Sequence, residues 1–191
     1  MVDISIDERQ VKRISNILYG IPNGTNRALN NALNRGITTV RSETSKGITR
    51  VYDIKPAVVK SDGNIKLRKS TPSSLVGEIT FSGFKIPLYK FGVTPKNPGT
   101  GKVVAARQKK SSLMTPFADA FIAKMKSGHV GIFERKRDSR FPVEEIMGSS
   151  VAQMAGDTVV YDEVEKKAQE TIDKRVEQEI TRLLNGYGGY S

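Results

Sequence analysis

The chain has no cysteine and no tryptophan, and His129 is its one histidine. Disulfides, thiolate metal sites and cysteine nucleophiles are therefore excluded, and a two-histidine zinc site would need more histidine than the chain holds. Long apolar runs are also missing. No window approaches the ~18 apolar residues of a membrane span, and residues 1–13 mix acids with bases where a secretory signal would need an apolar core. The expectation is an intracellular protein with no membrane partner, for which the Asn23-Gly24-Thr25 glycosylation pattern has no consequence. With so few of the usual catalytic side chains, the chain reads as a cofactor-free building block of an assembly and not as an enzyme.

What is present is charge, unevenly spread. The formal net charge is +11 over 191 residues. Residues 46–110 carry 14 bases and 3 acids, whereas residues 157–191 carry 5 bases and 8 acids. A field this localised attracts nucleic acid or an acidic protein surface, at a range limited by salt screening. Composition is slightly polar for a self-contained globule, at 37% hydrophobic and 27% charged, which suggests that some segments meet partners on other chains. The length suits one domain, residues 1–191, with extensions.

Apolar spacing predicts an amphipathic helix over residues 4–19 and a second, opened by Thr25, carrying Ala28, Leu29, Ala32, Leu33, Ile37 and Val40. Residues 46–73 read as a basic arm, irregular or with a short helix within 48–69, leading into a strand at 64–68. Alternation in residues 74–93 predicts a hairpin turning at Ser82-Gly83, with Pro87 at an edge or bulge. A long basic loop, 94–116, surrounds a short strand at 102–107. A second hairpin is expected about Ser127-Gly128, giving one sheet of four or five strands within residues 74–156. Residues 143–154 suggest a short helix ending near Gly156. Val160, Val164, Ala168, Ile172, Val176, Ile180 and Leu184 recur every four residues, which predicts one long helix over 157–185 whose stripe meets more than one neighbour, another subunit included. Residues 186–191 read as a tail. The fold class is α+β: N-terminal helices and a long C-terminal helix on a small, mostly antiparallel sheet.

The motifs with chemical associations are weak. Residues 97–102, Asn-Pro-Gly-Thr-Gly-Lys, evoke a phosphate-binding loop, but Lys96 stands where that motif needs glycine and Val103 where it needs serine or threonine. Glu144 and Glu145 are adjacent and so diverge on a helix, and His129 follows a turn glycine without partners in sequence. The run Arg107-Gln108-Lys109-Lys110 and the group Lys66, Arg68 and Lys69 have no aromatics between them, so a stacking platform is not evident. They read as solvated faces or as partner contacts, non-specific contact with DNA phosphates included.

The order of parts in residues 74–155 resembles the minor tail protein Z, or tail completion, family of bacteriophages and prophages. It runs from GEITFSGFKIPLYKFGV through VVAARQKK and AFIAKMKSGHVGIFERK to FPVEEIMGSSVAQM, and its most specific parts are residues 120–135 and 141–151. The resemblance implies a structural protein of the tail and neck that finishes the tail end and supports head–tail joining as a homo-oligomeric ring, hexameric by expectation. Its expected partners are tail terminator, tail tube or head–tail connector proteins, in the virion and, during assembly, in the host cytoplasm. It carries over no catalytic residues. By residue type, Phe121, Phe133, Arg135 and Phe141 are the expected subunit or tail contacts. Lys102, Arg107, Lys109 and Lys110, with Lys66, Arg68 and Lys69, are the expected basic contacts. The alternative reading is a sequence-neutral nucleic-acid-binding protein.

Overall fold

The most apolar helical faces of the chain find each other, and this organises its first part. In the computed structural model, which describes residues 6, 8–61, 65–137, 139 and 141–186, α1 spans Glu8–Ile17 and α2 spans Gly24–Val51. The start expected for α1 at residue 4 lies outside the described residues. The second helix runs further than its spacing suggested, to Val51, through positions expected to begin the basic arm. Two internal glycines, each costing about 1 kcal/mol of helix propensity against alanine, are explained by packing. A Cβ on Gly36 would come within 2.5 Å of Ile172 Cγ1, and one on Gly47 within 3.1 Å of Val160 Cγ1.

The chain forms two compact units: residues 1–44, 65–80 and 161–191 make one, and residues 45–64 and 81–160 the other. Both α2 and the C-terminal helix α5, Thr158–Leu184, run through a unit boundary.

In the first unit, Ile14 and Leu18, then Ala28, Leu29 and Ala32 of α2, enclose Ile172, Val176, Ile180 and Leu183 of α5 in one buried cluster. The stripe of α5 is buried along its length within its own chain, from Val160 to Ile180. Its last member differs from expectation: Leu184 is 55% exposed and Leu183 is 4% exposed. Each four-residue step over-rotates a 3.6-residue helix by about 40°, so the stripe must at some point take a three-residue step, and it does so after Ile180. Glu179, buried on the same helix, is ion-paired with Arg175 Nη2 at 2.8 Å and Arg182 Nη2 at 2.6 Å, and accepts hydrogen bonds from Arg182 Nε at 3.0 Å and Asn31 Nδ2 at 2.9 Å. The buried carboxylate is thus paired and hydrogen-bonded, as low-dielectric burial requires. Strands β1, Ile65–Arg68, and β2, Glu78–Phe81, pair with each other. The chain after β1 is clipped to α2 by Asn34, whose Nδ2 donates to Ser70 O at 3.1 Å and whose Oδ1 accepts from Ser70 N at 3.0 Å.

The second unit is built from short strands. After α3, Pro56–Val59, come a 3-10 turn at Leu88–Lys90, then β3, Gly92–Thr94, β4, Val104–Arg107, and β5, Thr115–Phe117, antiparallel in that order. A separate antiparallel sheet holds β6, Ala120–Lys124, β7, Val130–Arg135, and β8, Val143–Glu145. Its first turn is the expected one, with Gly128 at φ +86°, a conformation that glycine reaches without the strain of a Cβ. Helix α4, Val151–Ala155, opens on a capping box in which Ser150 Oγ accepts from Gln153 N and Gln153 Oε1 accepts from Ser150 N.

The α+β class, the N-terminal helices and the long C-terminal helix agree with the sequence; the pairing of strands differs from it in three places. The hairpin at Ser82-Gly83 does not form, because β2 pairs backwards with β1 while residues 86–88 bond to 146–148, with Leu88 N donating to Ile146 O at 2.9 Å and Gly148 N to Ile86 O at 2.7 Å. The single sheet of four or five strands is replaced by three small sheets. Residues 143–145 form a strand on β7 and not the start of a helix, which begins only at Val151.

Candidate functional site

Strand β4 ends in Arg107, and the four residues from there to Lys110 tie together pieces of the second unit that are far apart in sequence. Asp53 N donates to Gln108 O at 2.7 Å, and Lys110 N to Val51 O at 2.9 Å. Gln108 Oε1 accepts from Ser149 N at 2.7 Å and Ser149 Oγ at 2.8 Å. Each basic side chain of the run also has an internal partner. Arg107 Nε meets Asp53 Oδ2 at 2.9 Å, Lys109 Nζ meets Asp157 Oδ2 at 2.5 Å, and Lys110 Nζ donates to Thr49 O at 2.7 Å. The Lys109 ammonium holds the Asp157 carboxyl below the usual carboxylate range. Tyr52, which donates its hydroxyl to Asp157 at 3.1 Å, has its phenol pushed up to about 12, first by burial and then by Asp157. The run is therefore in large part a structural tie.

Beside this tie the second unit opens into a concavity of about 810 Å³. Ile54, Phe91 and Val93 form an apolar floor, and Lys55, Lys90, Lys96, Arg107 and Lys110 supply five cations. Among the described residues lining it, Asp53 is the one acid, and it is occupied by Arg107. The loop carrying Lys96 is held by Tyr89, whose hydroxyl donates to Lys96 O at 2.9 Å. Of the basic residues singled out from sequence, Arg107 and Lys110 line this concavity. Lys102 is exposed on the preceding loop, and Lys66, Arg68 and Lys69 are exposed at and after β1 in the first unit, with Arg68 3.8 Å from Glu78. Lys55, Lys90 and Lys96 were not singled out, because residues 90, 96, 107 and 110 converge only once β3 and β4 pair.

The aromatic group converges more closely. Phe121 and Phe133 are register partners on β6 and β7, with ring centroids 6.3 Å apart, and Arg135 Cζ lies 4.8 Å over the Phe121 ring. Glu145, opposite Phe133 on β8, has its Oε1 hydrogen-bonded to His129 Nε2 at 2.7 Å, and the His129 ring stands edge-on to Phe133. Phe133 is buried and supports the sheet, while Phe141, two residues before β8, is 67% exposed. Lys136, paired with Glu144 at 2.6 Å, has its ammonium pKa raised by that hydrogen bond.

Among the described residues, no cluster of three or more histidine or carboxylate side chains is placed to hold a metal ion, and no helix is long and apolar enough to cross a membrane. Neither the curated proteins nor the solved structures contain a significant match to the chain. Residues 12–187 do match a known family, described as Prophage minor tail protein Z (GPZ). That match covers most of the helical first unit as well as the strands in which the sequence resemblance was densest, so the chain belongs to the prophage minor tail protein Z family, a family of phage minor tail proteins, and its role is that of a structural component of the virion tail.

Proposed function

We propose that the protein completes the head-proximal end of the tail and supports head–tail joining as one subunit of a hexameric ring, working through its surfaces and without catalysis. The observation that carries this reading is the apolar exposure of the second unit. Phe84 is 95% exposed and Leu113 90% exposed, positions at which a large apolar side chain gains its favourable transfer energy only when another chain covers it. Family membership supports the tail setting, and tail terminator, tail tube or connector proteins are the partners that setting offers. Phe121, Arg135 and Phe141 are the aromatic and cationic contacts on the same unit.

Native mass spectrometry of the purified protein, with negative-stain imaging of particles carrying a tagged copy, tests the proposal. The expected result is a six-subunit species and label at the tail end nearest the head. A monomer that is absent from purified particles overturns it.

The exposed cations Lys66, Arg68 and Lys69 favour a second reading, sequence-neutral binding of nucleic acid. It requires micromolar or tighter binding to random duplex at ~0.15 M salt, with a steep loss of affinity as salt rises.

A further inference from the structure

The concavity of the second unit combines two chemistries that rarely suit the same ligand. Its floor is apolar, from Ile54, Phe91 and Val93, and its rim is cationic, from Lys55, Lys90, Lys96 and Lys110. The one acid among its described lining residues is neutralised by Arg107, so the rim's positive charge is not balanced from within the wall. We propose that this concavity docks an acidic peptide segment of another chain that carries an apolar anchor.

The volume, about 810 Å³, lies within the ~300–1,000 Å³ usual for sites that enclose a ligand. Duplex DNA satisfies the rim but not the floor, since its phosphates ride on a rigid convex surface and nothing on it reaches recessed apolar side chains. Single strands would need exposed aromatic faces for stacking, yet Phe91 is buried in the floor and Tyr89 is half-buried with its hydroxyl committed to Lys96 O. A peptide with carboxylates flanking a leucine or phenylalanine meets both demands: the carboxylates pair with rim ammonium groups while the anchor leaves water for the floor. The rim is partly preformed, because Lys110 is held to Thr49 O and the Lys96 backbone to Tyr89, which lowers the ordering cost of binding. This inference does not depend on where in the tail the protein sits.

Fluorescence anisotropy with the full chain tests it, using a labelled short peptide of alternating glutamate and leucine, a charge-matched peptide with serine in place of leucine, and random duplex DNA. The leucine peptide is expected to bind about tenfold or more tightly than the serine peptide, a difference worth about 1.4 kcal/mol. Reversing two exposed rim charges, Lys90→Glu with Lys96→Glu, is expected to weaken it by about tenfold or more. The control Lys124→Glu with Lys126→Glu, on exposed positions of the β6–β7 hairpin, leaves it unchanged. Circular dichroism melts of both variants show that the fold is retained, as expected for surface lysines. Equal binding of the two peptides, equal loss in the two variants, or tighter binding of duplex than of the leucine peptide each overturns the proposal.

Discussion

Both units bury apolar side chains, but they differ in the polar contacts that join their chain segments. The first closes around a continuous apolar cluster contributed by three helices, so its stability scales with area removed from water. The second also buries apolar side chains, among them Ile48, Val59, Val104, Ile132, Val151 and Met154, and adds a directed tie in which Arg107–Lys110 bond to residues 49, 51, 53, 149 and 157. Apolar burial is by itself insensitive to pH; a tie of charges and carbonyls is responsive to protonation. The unit that carries the basic concavity is the one in which a polar tie joins segments far apart in sequence.

The contrast can be broken most forcefully in the first unit. Ile172→Ala removes a fully buried side chain at the crossing with Gly36 and is expected to cost about 2–5 kcal/mol, read by urea denaturation followed at 222 nm. In the second unit, Asp157→Asn removes the charge that Lys109 and Tyr52 share, with an expected cost of about 1–3 kcal/mol in the same assay. The same variant sharpens the comparison through pH. Because Lys109 depresses the folded-state pKa of Asp157, the unfolded chain binds that proton more tightly, and the carboxylate's contribution is complete above the ordinary value of about 4 and is lost as pH falls through and below it. The wild-type urea midpoint is therefore expected to fall more steeply in acid than that of Asp157→Asn, and parallel curves would contradict the assignment. The smallest effect belongs to Arg135→Ala, which removes a cation from the Phe121 ring at an exposed position and is expected to cost about 0.5–1 kcal/mol.

The same contrast explains how much was legible in the sequence. Helix α5 and the cluster it enters could be read because helical periodicity is local, and even its one discrepancy, Leu183 for Leu184, follows from the mismatch between 4 and 3.6. The β6–β7 hairpin was legible because its turn glycine and flanking alternation lie within one short stretch, which brought Phe121, Phe133 and Arg135 together. Strand β2 was recognisable as a strand, but alternation does not name its partner, and the choice of β1 over residues 84–93 is a tertiary one. Residues 143–145 were too short for their period to separate strand from helix. In the candidate site, the run Arg107-Gln108-Lys109-Lys110 marked the place, while the partners Asp53, Ser149 and Asp157 carry no local signal. Charge density pointed to residues 46–110 as a whole, but only the pairing of β3 with β4 decides which lysines share a wall.

The interleaving of the chain has a consequence for biogenesis. The polypeptide passes between the units four times, after residues 44, 64, 80 and 160, so no single cut releases either one intact. During synthesis every residue of the second unit leaves the ribosome before the last segment of the first, whose core needs Ile172 through Leu183. The helical cluster of the first unit can therefore close only after α5, with its Ile172, Val176, Ile180 and Leu183, has been made.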